Sequence, residues 1–218
     1  MAILRAVADE PASLAELVTR TELPRATAHR LATALEGHRL VRRTAAGAWA
    51  PGPALAELGR GGADLADLAG RHLTGLRDAS GESAQFYVRD GASRVCLAAA
   101  ERVSGLRDTV PVGSVLPMVA GSAAQILLAW EPPEAVMPLL PRCKFTGRTL
   151  AEVRRRGWAQ SVAEREPGVA SVSAPIRDRT GRVIASISIS GPIERLGRRP
   201  GERHAMAVVR AGQRLSGL

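Results

Sequence analysis

Two groups of side chains in this 218-residue chain have the types and spacing to do chemistry. The first is cationic and lies in LPRATAHRLATALEGHRLVRR, residues 23–43. Pro24 suits a first helical position, and no Gly interrupts before Gly37, so a helix is predicted to start at Pro24. Helical spacing puts Ala28, Leu31 and Leu35 on an inner stripe and leaves Arg25, His29, Arg30 and Thr33 outside. Arg25 and Thr27 fall in the first turn, where a recognition helix meets base edges, and Arg is the side chain best shaped to bond guanine in the major groove. Residues 40–43, 44–47 and 48–50 read as strand, turn and strand, a wing that brings Arg42 and Arg43 near phosphate. An amphipathic surface helix with a charged face would show the same periodicity, and periodicity alone does not separate the two.

The second group is hydroxyl-bearing: Ser171 and Ser173, then Ser186, Ser188 and Ser190 in ASISISG. Strand alternation places Ser186, Ser188 and Ser190 on one face and Ile187 and Ile189 on the other. A solvent face usually carries longer charged side chains, whereas short hydroxyls suit a covered pocket for a small polar ligand. The open alternative is an exposed face of a small-residue sheet. Ser122 and Ala123 open a helix whose first backbone N–H groups favour a carboxylate. Together these features describe a pocket for a small acid or amino acid.

Other chemistries find little footing. His29, His38, His72 and His204 never fall at metal-ligand spacing with one another or with Cys96 or Cys143, so no metal and no cofactor is expected. GxGxxG, Walker and GxSxG phrases are absent, and AGSAA at residues 120–124 lacks the second glycine of a nucleophile elbow. An enzyme using these serines would need a base within reach, and none of the histidines has an evident partnership with them, so no catalytic residue is nominated. An interaction module docking a basic surface on an acidic partner is the other alternative.

These residues need elements to position them. Residues 3–8 read as a short helix, and Ser13 with Glu16 forms a capping box for a second, followed by a turn at residues 20–22. With the wing this is a winged helix-turn-helix. GRGG at residues 59–62 is the predicted boundary, giving domains 1–60 and 61–218. Beyond it, Leu65, Leu68, Leu73 and Leu76 mark a helix. Residues 83–88 and 94–99 flank Asp90-Gly91, the strongest short hairpin signal in the chain. A loop and strand at 111–119, a helix from 121 to 130, helices at 134–140 and 149–156, strands at 158–162, 169–176 and 183–189, and a closing helix at 202–215 complete an α+β domain with an antiparallel sheet.

The formal charge of +9 and pI near 11.2 suggest a polyanionic partner, yet residues 1–60 hold eight arginines against six carboxylates, a net +2. Particular arginines therefore matter more than the total. The two cysteines read as reduced thiols, and with no long apolar run or leader a cytoplasmic location without membrane contact is expected.

The phrases LPRATAHRLATALEGHRLVRR, GESAQFYVRDG, RVCLAAAERVSGLRDTVPVGS and, after GWAQSVAEREPGVASVSAPI, ISISGPIERL resemble the IclR-type transcriptional regulators over nearly the whole chain. Within that family the sequence is most similar to the actinobacterial NdgR/AreB-like regulators of amino-acid metabolism, linked to leucine biosynthesis genes. The resemblance implies a GAF-like effector domain, a homodimer or dimer of dimers, a pseudo-palindromic operator in double-stranded DNA, and a small carboxylate signal. It also implies pocket residues Gly105, Ser122, Ala123, Ser161, Ser171, Ser188 and Ser190, which would tune the spacing of two DNA-binding domains. Relatives that bind 2-oxo acids carry an Asp and a Cys where this chain has Ser161 and Ser171. The pocket is thus expected to be uncharged, with amino acid or 2-oxo acid unresolved. Arg39 replaces a glycine usual after the recognition helix, so a differently arranged helix end is expected. Relative to the family the chain starts late, which implies either weaker contacts between DNA-binding domains or a misassigned start codon.

Overall fold

The computed structural model describes residues 1–217, with residues 59–66 described by their backbone alone. Residues Met1–Asp64 and Leu65–Leu218 form two compact units. In the first, α1 (Ala2–Ala6), α2 (Leu14–Thr21) and α3 (Arg25–Gly37) precede an antiparallel ribbon of β1 (Val41–Arg43) and β2 (Trp49–Pro51). Ile3, Val7, Leu17, Ala28, Ala32 and Trp49 close its core. The capping box forms as the sequence predicts: Ser13 N–H donates to Glu16 Oε2 at 2.7 Å, and Glu16 N–H donates to Ser13 Oγ at 3.3 Å.

Three local expectations shift. Helix α2 continues through Thr21, so the turn is residues 22–24, with Glu22 in the left-handed region at φ 56° and Pro24 as the N-cap of α3. The inner stripe of α3 is Ala28 and Ala32 with half-buried Leu35, while Leu31 is 41% exposed. Two methyl groups at the contact let α3 pack closely, and the larger leucine is turned outward. Arg39 keeps the left-handed conformation a glycine would take, at φ 58°, instead of rearranging the helix end. Its own N–H donates to Glu36 O at 2.9 Å and its C=O accepts from Ala54 N–H at 3.1 Å, which offsets a backbone cost of about 1–2 kcal/mol. Gly52 lies so close that an added Cβ would sit 2.1 Å from Arg39 O.

Helix α4 (Pro53–Ser80) is continuous through residues 59–62, where the sequence predicts a break. Glycine weakens a helix without forbidding it. In the second unit, β3 (Ser83–Asp90), β4 (Ser93–Ala100), β5 (Val115–Pro117), β6 (Ala159–Val162), β7 (Val169–Arg177) and β8 (Val183–Pro192) form one antiparallel sheet in the order β5-β4-β3-β8-β7-β6. Residues of α4 from Ala69 onward and α9 (Pro200–Arg214) cover one face. Helices α5 (Ser122–Ala129) and α7 (Gly147–Arg156) cover the other. The short helices α6 (Pro133–Val136) and α8 (Ile193–Leu196) and a helical turn at Leu140–Arg142 fill the connections. Helix α7 begins two residues before its predicted start because Thr146 is its cap, with Thr149 completing the box. The architecture is the α+β arrangement read from the sequence. No described helix is long and apolar enough to cross a membrane.

Candidate functional sites

The first candidate site is the outer face of α3 with the wing. Arg25, His29 and Arg30 are exposed and Thr27 is half-buried. Among the described residues, the side chains of Arg25, Arg30 and Arg42 take part in no hydrogen bond or ion pair, so three guanidinium groups remain open to solvent. Two of the other three nominated side chains, His29 and Arg43, are engaged. The His29 ring meets Trp49 edge to face at 5.8 Å between centroids. Arg43 stacks 3.4 Å over the Trp49 ring, donates to Gly47 O at 2.8 Å, and lies 3.6 Å from Glu36 Oε2. Trp49 thus ties the recognition helix to the wing, and Arg43 braces the wing turn.

The second site lies between the sheet and α5. The serine face of β8 is covered: Ser186, Ser188 and Ser190 are at most 5% exposed, and α5 packs over β7 and β8. Every residue of α5 is buried, and its Ser-Ala-Ala opening lets the helix backbone come near the sheet. The hydroxyls join in a continuous chain. Ser161 and Ser171 are 2.8 Å apart, Ser171 and Ser122 2.6 Å, Ser122 and Ser173 2.7 Å, and Ser173 and Ser188 2.5 Å. Gln85 Nε2 donates to Ser190 Oγ at 2.9 Å.

A small cavity opens beside this chain. Its lining includes Ser122, Ala123, Ser161, Ser171, Ser188 and Ser190, six of the seven side chains nominated from sequence. Gly105 stays exposed in the 101–114 loop and takes no part in that lining. The free space is about 20 Å³, room for one water-sized group, so a larger ligand has to part the hydroxyl chain or its neighbours.

Two expectations about this pocket are corrected. It is not uncharged, because Arg94, Arg165 and Asp108 share its lining. Arg165 Nη2 donates to both Asp108 oxygens, at 2.6 and 2.5 Å. Nor are the N–H groups at the start of α5 all free. Gly121 N–H donates to Glu164 Oε2 at 2.8 Å, and Ser122 N–H donates to Ser161 Oγ at 3.2 Å. Ala163, just before Glu164, is left-handed at φ 55°, part of the turn that leads from β6 to this carboxylate. Burial raises the Glu164 carboxyl above the usual glutamate value, against its bonds from Gly121 and Gln125. Burial also raises the Tyr87 phenol and pulls the Arg94 guanidinium down to about 10.

Sequence reasoning missed Arg94, because the apolar run from Val95 to Ala100 carries no alternation to say which residues face inward. In the folded strand β4, Arg94, Cys96, Ala98 and Ala100 are the buried residues. The strand has a bulge: Phe86 pairs with Ala98 and Tyr87 with Cys96, leaving Leu97 unpaired. Such an insertion reverses which face the following residues take. Ala98 and Ala100 therefore join the α4–α9 side, and Cys96 joins the α5 side, whose cavity Arg94 lines.

Comparison with known proteins places both units. The family described as bacterial transcriptional regulator IclR, C-terminal, matches residues 61–217, and the IclR helix-turn-helix domain matches residues 1–45. The chain is 30% identical to the transcriptional repressor IclR of Escherichia coli over 203 residues, covering 84% of this chain and 74% of that one. It is 29% identical to the glycerol operon regulatory protein of Streptomyces griseus over 199 residues, covering 84% and 78%. An IclR homologue from Microbacterium hydrocarbonoxydans, solved with 4-hydroxybenzoate, has the same fold with a TM-score of 0.76 at 23% identity, covering 99% of this chain and 96% of that one.

Proposed function

The chain belongs to the IclR family of bacterial transcriptional regulators: it is a DNA-binding regulator with a C-terminal effector-binding domain, and its relatives are regulators rather than enzymes. From that premise we propose that a small carboxylate metabolite, an amino acid or a 2-oxo acid, sets its affinity for a pseudo-palindromic operator. The observation that carries this reading is the buried cavity in which two arginines meet a chain of serine hydroxyls. Such a site bonds carboxylate oxygens from several directions and excludes apolar ligands. A carboxylate is also what the Microbacterium homologue holds.

On the DNA side, Arg25 and Thr27 meet base edges, with His29 and Arg30 beside them in the major groove and Arg42 on phosphate; Arg43 supports the wing from its stacked position. Residues 1–60 act as the DNA-binding domain and residues 61–218 as the effector and oligomerisation domain, in a cytoplasmic homodimer or dimer of dimers. Resemblance to the NdgR/AreB-like regulators supports amino-acid biosynthesis genes, leucine genes among them, as targets. Effector binding acts through its differential affinity for the arrangements that fit and do not fit the operator.

The test is a footprint of the purified protein, at physiological salt, on DNA upstream of its own gene and of leucine-biosynthesis genes, with and without a panel of amino acids and 2-oxo acids. A protected, roughly palindromic site that changes with one compound is the expected result. Protection that no carboxylate alters removes the effector reading, and binding no tighter than to mixed-sequence DNA removes operator recognition.

A further inference from the structure

Arg94 is 3% exposed and, among the described residues, has no ion-pair partner. Its Nη1 donates to Pro117 O at 2.5 Å, and its Nε, sealed from solvent, donates to nothing. Its Nη2 lies against the start of α5, 3.3 Å from where a side chain on Gly121 would begin. A guanidinium withdrawn from water without an anion is strongly unfavourable. The fold therefore carries a buried positive charge at the wall of a cavity, faced by the Tyr87 ring 5.4 Å away and by no carboxylate in direct contact.

The acids around it are already engaged. Asp108 takes both its bonds from Arg165, and Glu164 accepts from Gly121 N–H and from Gln125 Nε2 at 3.0 Å. Glu164 also sits where an incoming carboxylate would otherwise cap α5. The helix start is thus supplied from within, and the unused electrostatic capacity of the pocket is at Arg94.

We propose that Arg94 is the anion anchor of this pocket, that it binds the single carboxylate of the ligand, and that it selects against a second negative charge. This rests on the reading of the cavity as the effector site. Arg94 and Arg165 against Asp108 leave one positive charge among the lining side chains, which one carboxylate neutralises, while Glu164 stands behind the lining on bonds from Gly121 and Gln125. A second carboxylate would be buried beside Glu164 and Asp108 with no cation left to meet it. The serine hydroxyls, each able to donate or accept, bond the remaining polar atoms without adding charge.

Isothermal titration of the full chain decides this, with pyruvate, L-leucine and 4-hydroxybenzoate as single-carboxylate probes, malonate as a two-carboxylate probe and acetamide as a neutral one. Binding of at least one single-carboxylate probe is expected, with no heat from malonate or acetamide. Arg94→Gln should weaken that binding at least tenfold, and Arg94→Lys should recover part of it. Arg94→Met, which removes the buried charge, should melt no lower than wild type, separating lost binding from lost folding. Equal binding by wild type and Arg94→Gln, preference for malonate, or no single-carboxylate binding at all would overturn the anchor. Binding lost in Ser188→Ala but kept in Arg94→Gln discards Arg94 and retains the pocket. Arg94-dependent binding that leaves the footprint unchanged retains the anchor and discards the effector reading.

Discussion

The arginines of the two units are held in opposite ways. Arg25, Arg30 and Arg42 stand in solvent without partners, whereas Arg94 is buried and Arg165 is clamped to Asp108. An exposed guanidinium costs the fold little and is available to a polyanion that arrives from outside. A buried one is tolerable only where the surroundings, or a ligand, answer its charge. Substitutions of the exposed arginines of α3 and the wing should therefore change DNA binding and spare stability, and substitutions that strand a buried polar partner in the second unit should cost stability.

The largest expected effect is at Glu82, whose carboxylate is buried and takes bonds from Arg195 Nε and Nη2 at 2.6 and 2.7 Å. Arg195→Met strands that charge and should cost about 3 kcal/mol in urea unfolding. A loss well under 1 kcal/mol would mean that water reaches Glu82 and that the second unit is less closed than its burial implies. Ser173→Ala comes next, because it leaves Ser122 and Ser188 each short of a partner in a dry site. About 1–3 kcal/mol should be lost in the same assay.

Arg25→Ala sharpens the other side of the contrast. Specific operator binding should weaken by about 1–3 kcal/mol with the unfolding midpoint unchanged. An equal loss on random DNA would demote Arg25 to a phosphate contact. The smallest effect should come from Arg39→Gly. Relief of the left-handed backbone should stabilise the first unit by up to about 1 kcal/mol, since the exposed Arg39–Glu57 pair at 2.6 Å contributes little in return. Thermal unfolding measures it, and a lower midpoint would show that the ion pair or the unfolded-chain entropy of glycine outweighs the strain.

The readable parts of the molecule share a physical basis. The Ser13 capping box, the Asp90-Gly91 hairpin and the alternation of β8 are decided by neighbours a few residues apart, and the structure carries each of them. The misplaced details arise where two local options were nearly equal in energy. Leu31 and Ala32 could each have joined the inner stripe of α3, and Thr146 and Thr149 could each have capped α7. Packing within the first unit chose Ala32, and the reciprocal Thr146–Thr149 bonds set the start of α7.

By itself the sequence determined the element order, the cationic face of α3 and the small-hydroxyl face of β8, because periods of 3.6 and 2 are properties of local backbone geometry. Tertiary structure alone decided what those faces meet. It covered the serines with α5, set Glu164 on the N–H of Gly121 across 43 residues, and left Gly105 outside. It also put Arg94 in the pocket, since one unpaired residue at Leu97 reverses the faces of β4. The apolar run that follows Arg94 has no alternation to say that Arg94 is buried, and the register against β3 determines which layer receives its charge.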